Sequence, residues 1–137
     1  MDDVFGRAGF VTRWLSEIYP FRQSVLRRRF PDVEVIYSNV ETIDAAMLEP
    51  VDVIVGGFPC PDISTAGLRT GITGSRSGLW REMVRAMRVV RPRYAAVENV
   101  SALLGRGMGT CLGHLAASGH EPEWDILPAF ALAVVTE

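Results

Sequence analysis

Short apolar, β-branched runs alternate along the chain with stretches whose apolar positions recur at helical spacing, the pattern of a parallel sheet covered by helices. The alternation predicts a strand over 12–18, a helix over 21–30 closed by Pro31, and a second strand over 33–37. A short helix over 43–48, stopped by Pro50, leads into a third strand over 51–55, which is apolar almost throughout and runs straight into Gly56-Gly57. In the helix predicted over 79–90, Leu79, Trp80, Met83, Val84, Met87 and Val90 share one face, and Arg81, Glu82, Arg85 and Arg88 share the other. Pro92 ends that helix, a fourth strand follows over 94–97, Ser101 is placed to cap a further helix, and 123–127 reads as a fifth strand. The expected fold class is α/β, with one sheet and helices packed against it.

Ligands of open α/β sheets bind beyond the carboxyl ends of the strands, so the residues just after each strand are the first candidates for chemistry. They are Glu17 and Ile18, Asn39, Pro59 and Cys60, and Glu98 and Asn99, which are expected to converge on one edge of the sheet. A strand-end acid such as Glu17 can accept hydrogen bonds from both hydroxyls of a ribose; a plain surface carboxylate is the alternative. Cys60 follows Gly-Gly-Phe-Pro, where a thiol would project into the crevice with its direction set by Pro59, as a nucleophile requires. An inert, half-buried thiol is the bland alternative, and Cys111, in mid-helix, is assigned to it. Between Gly57 and Gly78 the loop is longer than connectors in compact domains usually are, and such loops tend to carry function. Glu98 rises from the apolar run Ala95-Ala96-Val97 beside that loop, and burial there would favour a carboxylic acid able to donate a proton. Capping of the following helix is its structural alternative.

Composition narrows these readings only modestly. The 137 residues are 48% apolar, and no linker-like tract divides them, so one domain or part of one is expected. Fourteen basic side chains stand against sixteen acidic ones, so no polybasic character announces a nucleic-acid partner. All of the basic residues are Arg, which fits GC-rich coding as readily as a need for planar guanidinium contacts. The run Arg27-Arg28-Arg29 closes a predicted helix and reads as a solvated face. His114 and His120 have no paired acid at a useful spacing and read as packing or surface residues. Two cysteines without ligand-like spacing suggest neither a disulfide framework nor a metal site. No signal-peptide pattern or membrane-spanning run is seen, so no membrane partner and a cytoplasmic location are expected.

The segment GGFPCPDISTAG resembles the GG-x-P-C-Q-x-F-S-x-A-G loop of the DNA cytosine-5 methyltransferases of bacterial and phage restriction-modification systems, and AAVENV resembles that family's Glu-Asn-Val strand. The two stand in the family's order, separated by SGLWREMVRAMRVVRPR, which resembles its intervening helix. Upstream, RAGF followed by SEIYPF resembles the stretch carrying the cofactor's ribose-binding acid. The resemblance implies an incomplete Rossmann-like S-adenosylmethionine-dependent methyltransferase sheet with helices on both faces. It implies double-stranded DNA as substrate, with the target cytosine flipped out of the stack. By carry-over, Cys60 is the nucleophile and Glu98 the group that donates to ring nitrogen 3. Glu17, Ile18, Asn39, Pro59 and Leu79 would contact S-adenosylmethionine, and Asn99 and Ser64 would support the site.

The departures shape a further expectation. The family's first glycine motif, Phe-x-Gly-x-Gly, would precede Arg7, where Phe5, Gly6 and Gly9 match it poorly. Asn39 stands where an adenine-contacting Asp is usual, Pro61 replaces a common Gln, and Tyr19 a common Asp. Near the end, WDILPAFAL resembles the approach to the family's arginine strand, but the chain continues as AVVTE. Residues 1–137 are therefore expected to be a partial catalytic domain without a target recognition domain, inactive or dependent on a complementing methyltransferase segment; a non-catalytic remnant or decoy of the family is the alternative, and a small nucleotide-binding α/β domain stands behind it. Uncovered apolar surface is expected where the first strand would lie.

Overall fold

The computed structural model describes residues 6–58 and 78–126. In chain order these form β1 (Trp14–Ser16), α1 (Pro20–Arg29), β2 (Val35–Tyr37), two 3-10 turns (Val40–Thr42 and Ala45–Met47), β3 (Val53–Gly57), α2 (Gly78–Val90), β4 (Tyr94–Glu98), α3 (Leu103–Arg106) and α4 (Met108–Ala116). The chain is mixed α/β, and its strands pair in parallel: β1 with β2, and β3 with β4. The expected single sheet is instead two pairs, and no ladder joins them among the described residues. β1 is also shorter than the run over 12–18 suggested, because only three of its residues find a partner.

Helix α2 ties the two halves together. Its Trp80, Val84 and Met87 pack with Ile54 and Phe58 of the β3 region and with Leu103 and Cys111 of the C-terminal helices. Cys111 is thus a core residue, in keeping with the inert assignment. Ala86, on another side of α2, packs with Ile43, Ala45 and Leu48 from the 3-10 turns. Trp14 of β1 borders both clusters, and its indole N–H donates to the Glu49 carbonyl at 3.1 Å. The helix therefore buries two stripes rather than one, and Arg85, expected on a solvated face, lies at the second. Its guanidinium donates to the carbonyls of Val40 and Ile43 at 2.8 Å each and to Glu82 at 2.6 Å.

Three further expectations are corrected. The helix expected over 43–48 is replaced by the two 3-10 turns, because Asn39 and Asp44 accept from the N–H groups of Glu41 and Ala46 and hold local turns in place of helical bonds. Ser101 does not cap α3: Ala102 occupies that position with helical dihedrals, and the chain enters through backbone turns closed by Leu103 and Leu104. Residues 123–126 form no strand, Trp124 and Ile126 are exposed, and the Ile126 N–H bonds the adjacent Asp125 side chain. A strand needs a neighbour's ladder, and this segment has none. Leu127, the last residue of that expected strand, lies outside the described residues.

Candidate active site

Parallel pairing sets which strand ends lie side by side. In the first pair, the Glu17 N–H donates to the Tyr37 carbonyl at 2.9 Å, so Glu17 leaves β1 next to the end of β2. Glu17 Oε1 accepts the Tyr19 N–H at 2.9 Å, its backbone carbonyl accepts from Gln23 at 2.6 Å, and Arg22 stands 3.8 Å from Oε2. The carboxylate is thus oriented by a tight turn and keeps acceptor capacity for other donors. Arg22 also lies over the Tyr19 ring at 4.7 Å. Ile18 is 55% exposed. Asn39, two residues beyond β2, lines a cavity of about 180 Å³ together with Tyr37, Ser38, Thr42 and Asp44.

In the second pair, Gly57 is in register with Glu98. A Cβ on Gly57 would stand 3.1 Å from Glu98 Oε2 and 3.4 Å from its carbonyl oxygen, so the absence of a side chain there lets the carboxylate lie against β3. Glu98 was expected to be buried, and it is exposed. Among the described residues its strand has one hydrogen-bonded neighbour, and that neighbour presents glycine beside it. The side chain of Asn99 donates from Nδ2 to the Phe58 carbonyl at 2.9 Å and accepts the Val100 N–H at 2.8 Å. It bridges the end of β4 to the residue two places before Cys60. Leu79 is half-buried in the first turn of α2, packed against the larger core cluster. Pro59, Cys60 and Ser64 lie outside the described residues.

Beneath this edge is a stack that the residue pattern did not single out. Phe58 is 6% exposed and packs on Trp80, 1% exposed, with ring centroids 5.1 Å apart. The Trp80 indole N–H donates to His114 Nδ1 at 3.0 Å, and the two rings stack. The bond assigns the proton of neutral His114 to Nε2. His114 is thus a packing residue with a defined tautomer, and His120 likewise bonds the Pro92 carbonyl through Nε2 at 3.1 Å. Among the described residues, no group of three or more His, Cys, Asp or Glu could hold a metal ion. None of their helices is long and apolar enough to cross a membrane.

Two parallel strand pairs with acids and amides at their carboxyl ends define an α/β protein whose candidate site residues stand at strand ends. The comparisons name the family. The model of the C-5 cytosine-specific DNA methylases matches residues 1–134, and the chain belongs to that family. Similar proteins include the type II methyltransferase M.NlaIV of Neisseria lactamica, 31% identical over 125 residues, covering 83% of this chain and 29% of the relative. The type II methyltransferase M.AquIA of Picosynechococcus sp. is 32% identical over 130 residues, covering 89% of this chain and 52% of the relative. The orphan methyltransferase M.Rho11sI of Bacillus phage rho11s is 33% identical over 90 residues, 66% of this chain and 18% of that protein. The chain thus spans between about a fifth and a half of the length of these relatives.

Proposed function

We propose that this chain carries the chemical centre of a DNA (cytosine-5-)-methyltransferase, acting on double-stranded DNA in the cytoplasm as part of a restriction-modification system. The observation that carries the reading is the Asn99 bridge to the Phe58 carbonyl beside Glu98 and Gly57, which braces the strand end that leads into Pro59-Cys60. A nucleophile needs such a fixed base, because misplacement by an ångström lowers rates steeply. Cys60 adds as thiolate to carbon 6 of a flipped cytosine, and Glu98 donates a proton to ring nitrogen 3. Carbon 5 then has the electron density to accept a methyl group; loss of its proton, return of the nitrogen 3 proton to Glu98 and departure of the Cys60 sulfur as thiolate restore the aromatic ring. Ser64 supports the loop that carries Cys60.

S-adenosylmethionine supplies that methyl group as an electrophile. The residues fit it within a Rossmann-like sheet. Glu17 offers an oriented carboxylate for a ribose diol, Ile18 an exposed apolar face for an adenine, and Asn39 an amide at a small cavity. Pro59 and Leu79 complete the set from the other side.

We also propose that chemistry depends on a complementing methyltransferase segment. Supporting this, the two strand pairs are not joined among the described residues, and α1 buries none of its residues, with Phe21 79% exposed. The test is to incubate the purified chain with DNA and labelled S-adenosylmethionine, alone and then with the remaining segments of a related methyltransferase supplied in cis or in trans. Weak cofactor binding and no methylation by the chain alone are expected, with activity on complementation that Cys60→Ser abolishes. Robust methylation by the unaided chain overturns the dependence; activity surviving Cys60→Ser overturns the assignment.

A further inference from the structure

Chain chemistry at the opposite end of the β3–β4 pair has a different character. β4 starts at Tyr94, about 13 Å of strand away from Glu98 at about 3.3 Å per residue. Just before it, an open cavity of about 690 Å³ lies between the carboxyl ends of α2 and α4, lined by Arg88, Arg91, Pro92, Arg93, Ser118 and His120 among others. Its lining contains three guanidinium groups and no carboxylate. Arg91 takes the left-handed conformation, φ 51°, that turns the chain out of α2, and its N–H closes on the Met87 carbonyl at 2.8 Å.

Helix ends offer a structural explanation for the arginines, since carboxyl ends attract cations. The magnitudes limit it. Two helix ends present roughly half a negative charge each, about one charge in all, against three positive ones. The other contacts are to neutral groups: Arg88 Nε to the Ser118 hydroxyl at 3.4 Å, and Arg93 over the Tyr94 ring at 5.2 Å. No carboxylate among the described residues pairs with Arg88, Arg91 or Arg93. A surplus of about two positive charges therefore lines an open recess.

We propose that this recess is a phosphate site that takes consecutive backbone phosphates of DNA. Guanidinium forks match phosphate oxygens in pairs, and a recess this open suits a run of groups on a polymer better than one enclosed ion. The choice of DNA as the source of the phosphates rests on the methyltransferase reading. Because the recess and the Glu98 edge lie at opposite ends of β4, the phosphates bound here belong to a stretch other than the one opened at the target base. The contact adds affinity without reading sequence.

The test is fluorescence anisotropy of the full chain with a labelled duplex across a salt series, comparing the unaltered chain with Arg91→Gln/Arg93→Gln. Two lost phosphate contacts reduce the slope of log K against log salt by about 1.8, and weaken binding about sixtyfold at 0.1 M salt. Arg27→Gln/Arg28→Gln, an equal loss of charge on α1, is expected to leave the slope unchanged. Equal losses in both double variants, or no change in slope in the first, overturn the proposal. Pyrophosphate binding that disappears in the variant while the DNA slope persists also overturns it, assigning the recess to a small phosphate ligand. Should the double variant not fold by circular dichroism, Arg93→Gln alone is read against an expected slope loss of about 0.9. Methylation by the complemented enzyme, read separately through Cys60→Ser, tests the target-base chemistry, so failure at this recess is separable from failure of that reading.

Discussion

Arg85 is the strongest polar tie between the half of the molecule that carries Glu17 and Asn39 and the half that carries Glu98 and Asn99. Arg85→Met keeps an unbranched stem of similar reach against Ala86 and the 3-10 turns and deletes only the guanidinium. Two charge-assisted hydrogen bonds at 2.8 Å to the Val40 and Ile43 carbonyls are lost, together with the bond to Glu82. Bonds to charged groups contribute about 1.5–3 kcal/mol each when buried. Arg85 is 36% exposed, so water rehydrates part of what is lost and the low end applies. The Glu82 pair, three residues away on the same helix, adds only about 0.3–0.5 kcal/mol. The expected loss is therefore about 3–3.5 kcal/mol, read as a lower urea midpoint with unchanged slope. Arg85→Lys, able to satisfy one carbonyl at a time, is expected about midway. A loss below about 0.5 kcal/mol for Arg85→Met would show that the 3-10 turns are held by apolar packing alone and refute the tie.

Trp80→Phe keeps the stack on Phe58 but leaves His114 Nδ1 without its donor, and is expected to lose about 2–3 kcal/mol in chemical denaturation, most of which disappears in a His114→Ala background. Gly57→Ala carries no backbone penalty of sign, but its Cβ at 3.1 Å displaces the Glu98 carboxylate, so the complemented enzyme is expected to lose at least about tenfold in methylation rate for a stability change within about 1 kcal/mol. Asn99→Asp removes the donor to the Phe58 carbonyl and sets a charge against it; in the complemented enzyme kcat is expected to fall while the KM for S-adenosylmethionine holds, and a pure KM effect would count against the bracing role. The Arg13–Glu49 ion pair, in which Glu49 raises the arginine's proton affinity by hydrogen bonding and then by charge, is solvent-exposed on both sides, and Arg13→Ala is expected to leave the melting curve unmoved.

The legible part of this chain was whatever rests on local periodicity. The α2 stripe of Trp80, Val84 and Met87 and the apolar run into Gly56-Gly57 appear as helix and strand within two residues of their expected bounds, because each element's spacing decides its own buried face. Ala86 and Arg85 escaped the pattern because a second buried stripe on one helix depends on a distant segment, the 3-10 turns, whose arrival no spacing within the helix encodes. The separate strand pairs escaped for the same reason: pairing is a property of two segments, and only ladders distinguish one sheet from two. Asn39 and Asp44 could have warned against a helix over 43–48, since short polar side chains in that spacing favour turns.

Glu98 shows how the same distinction bears on function. Its chemistry was expected to follow from burial, an inference drawn from the apolar residues preceding it, yet a strand end is covered only by what lies beside it. Among the described residues, beside it are Gly57, which covers nothing, and Asn99, whose amide is committed to the Phe58 carbonyl. The carboxylate is located by the glycine gap and lies exposed at the strand end. Under the proposed dependence on a complementing segment, what that segment covers bears on chemistry as well as on folding. On the proposed function, a segment that only completes the sheet is expected to restore stability and cofactor affinity, whereas methylation through Cys60 and Glu98 is expected only with one that also covers the Glu98 edge.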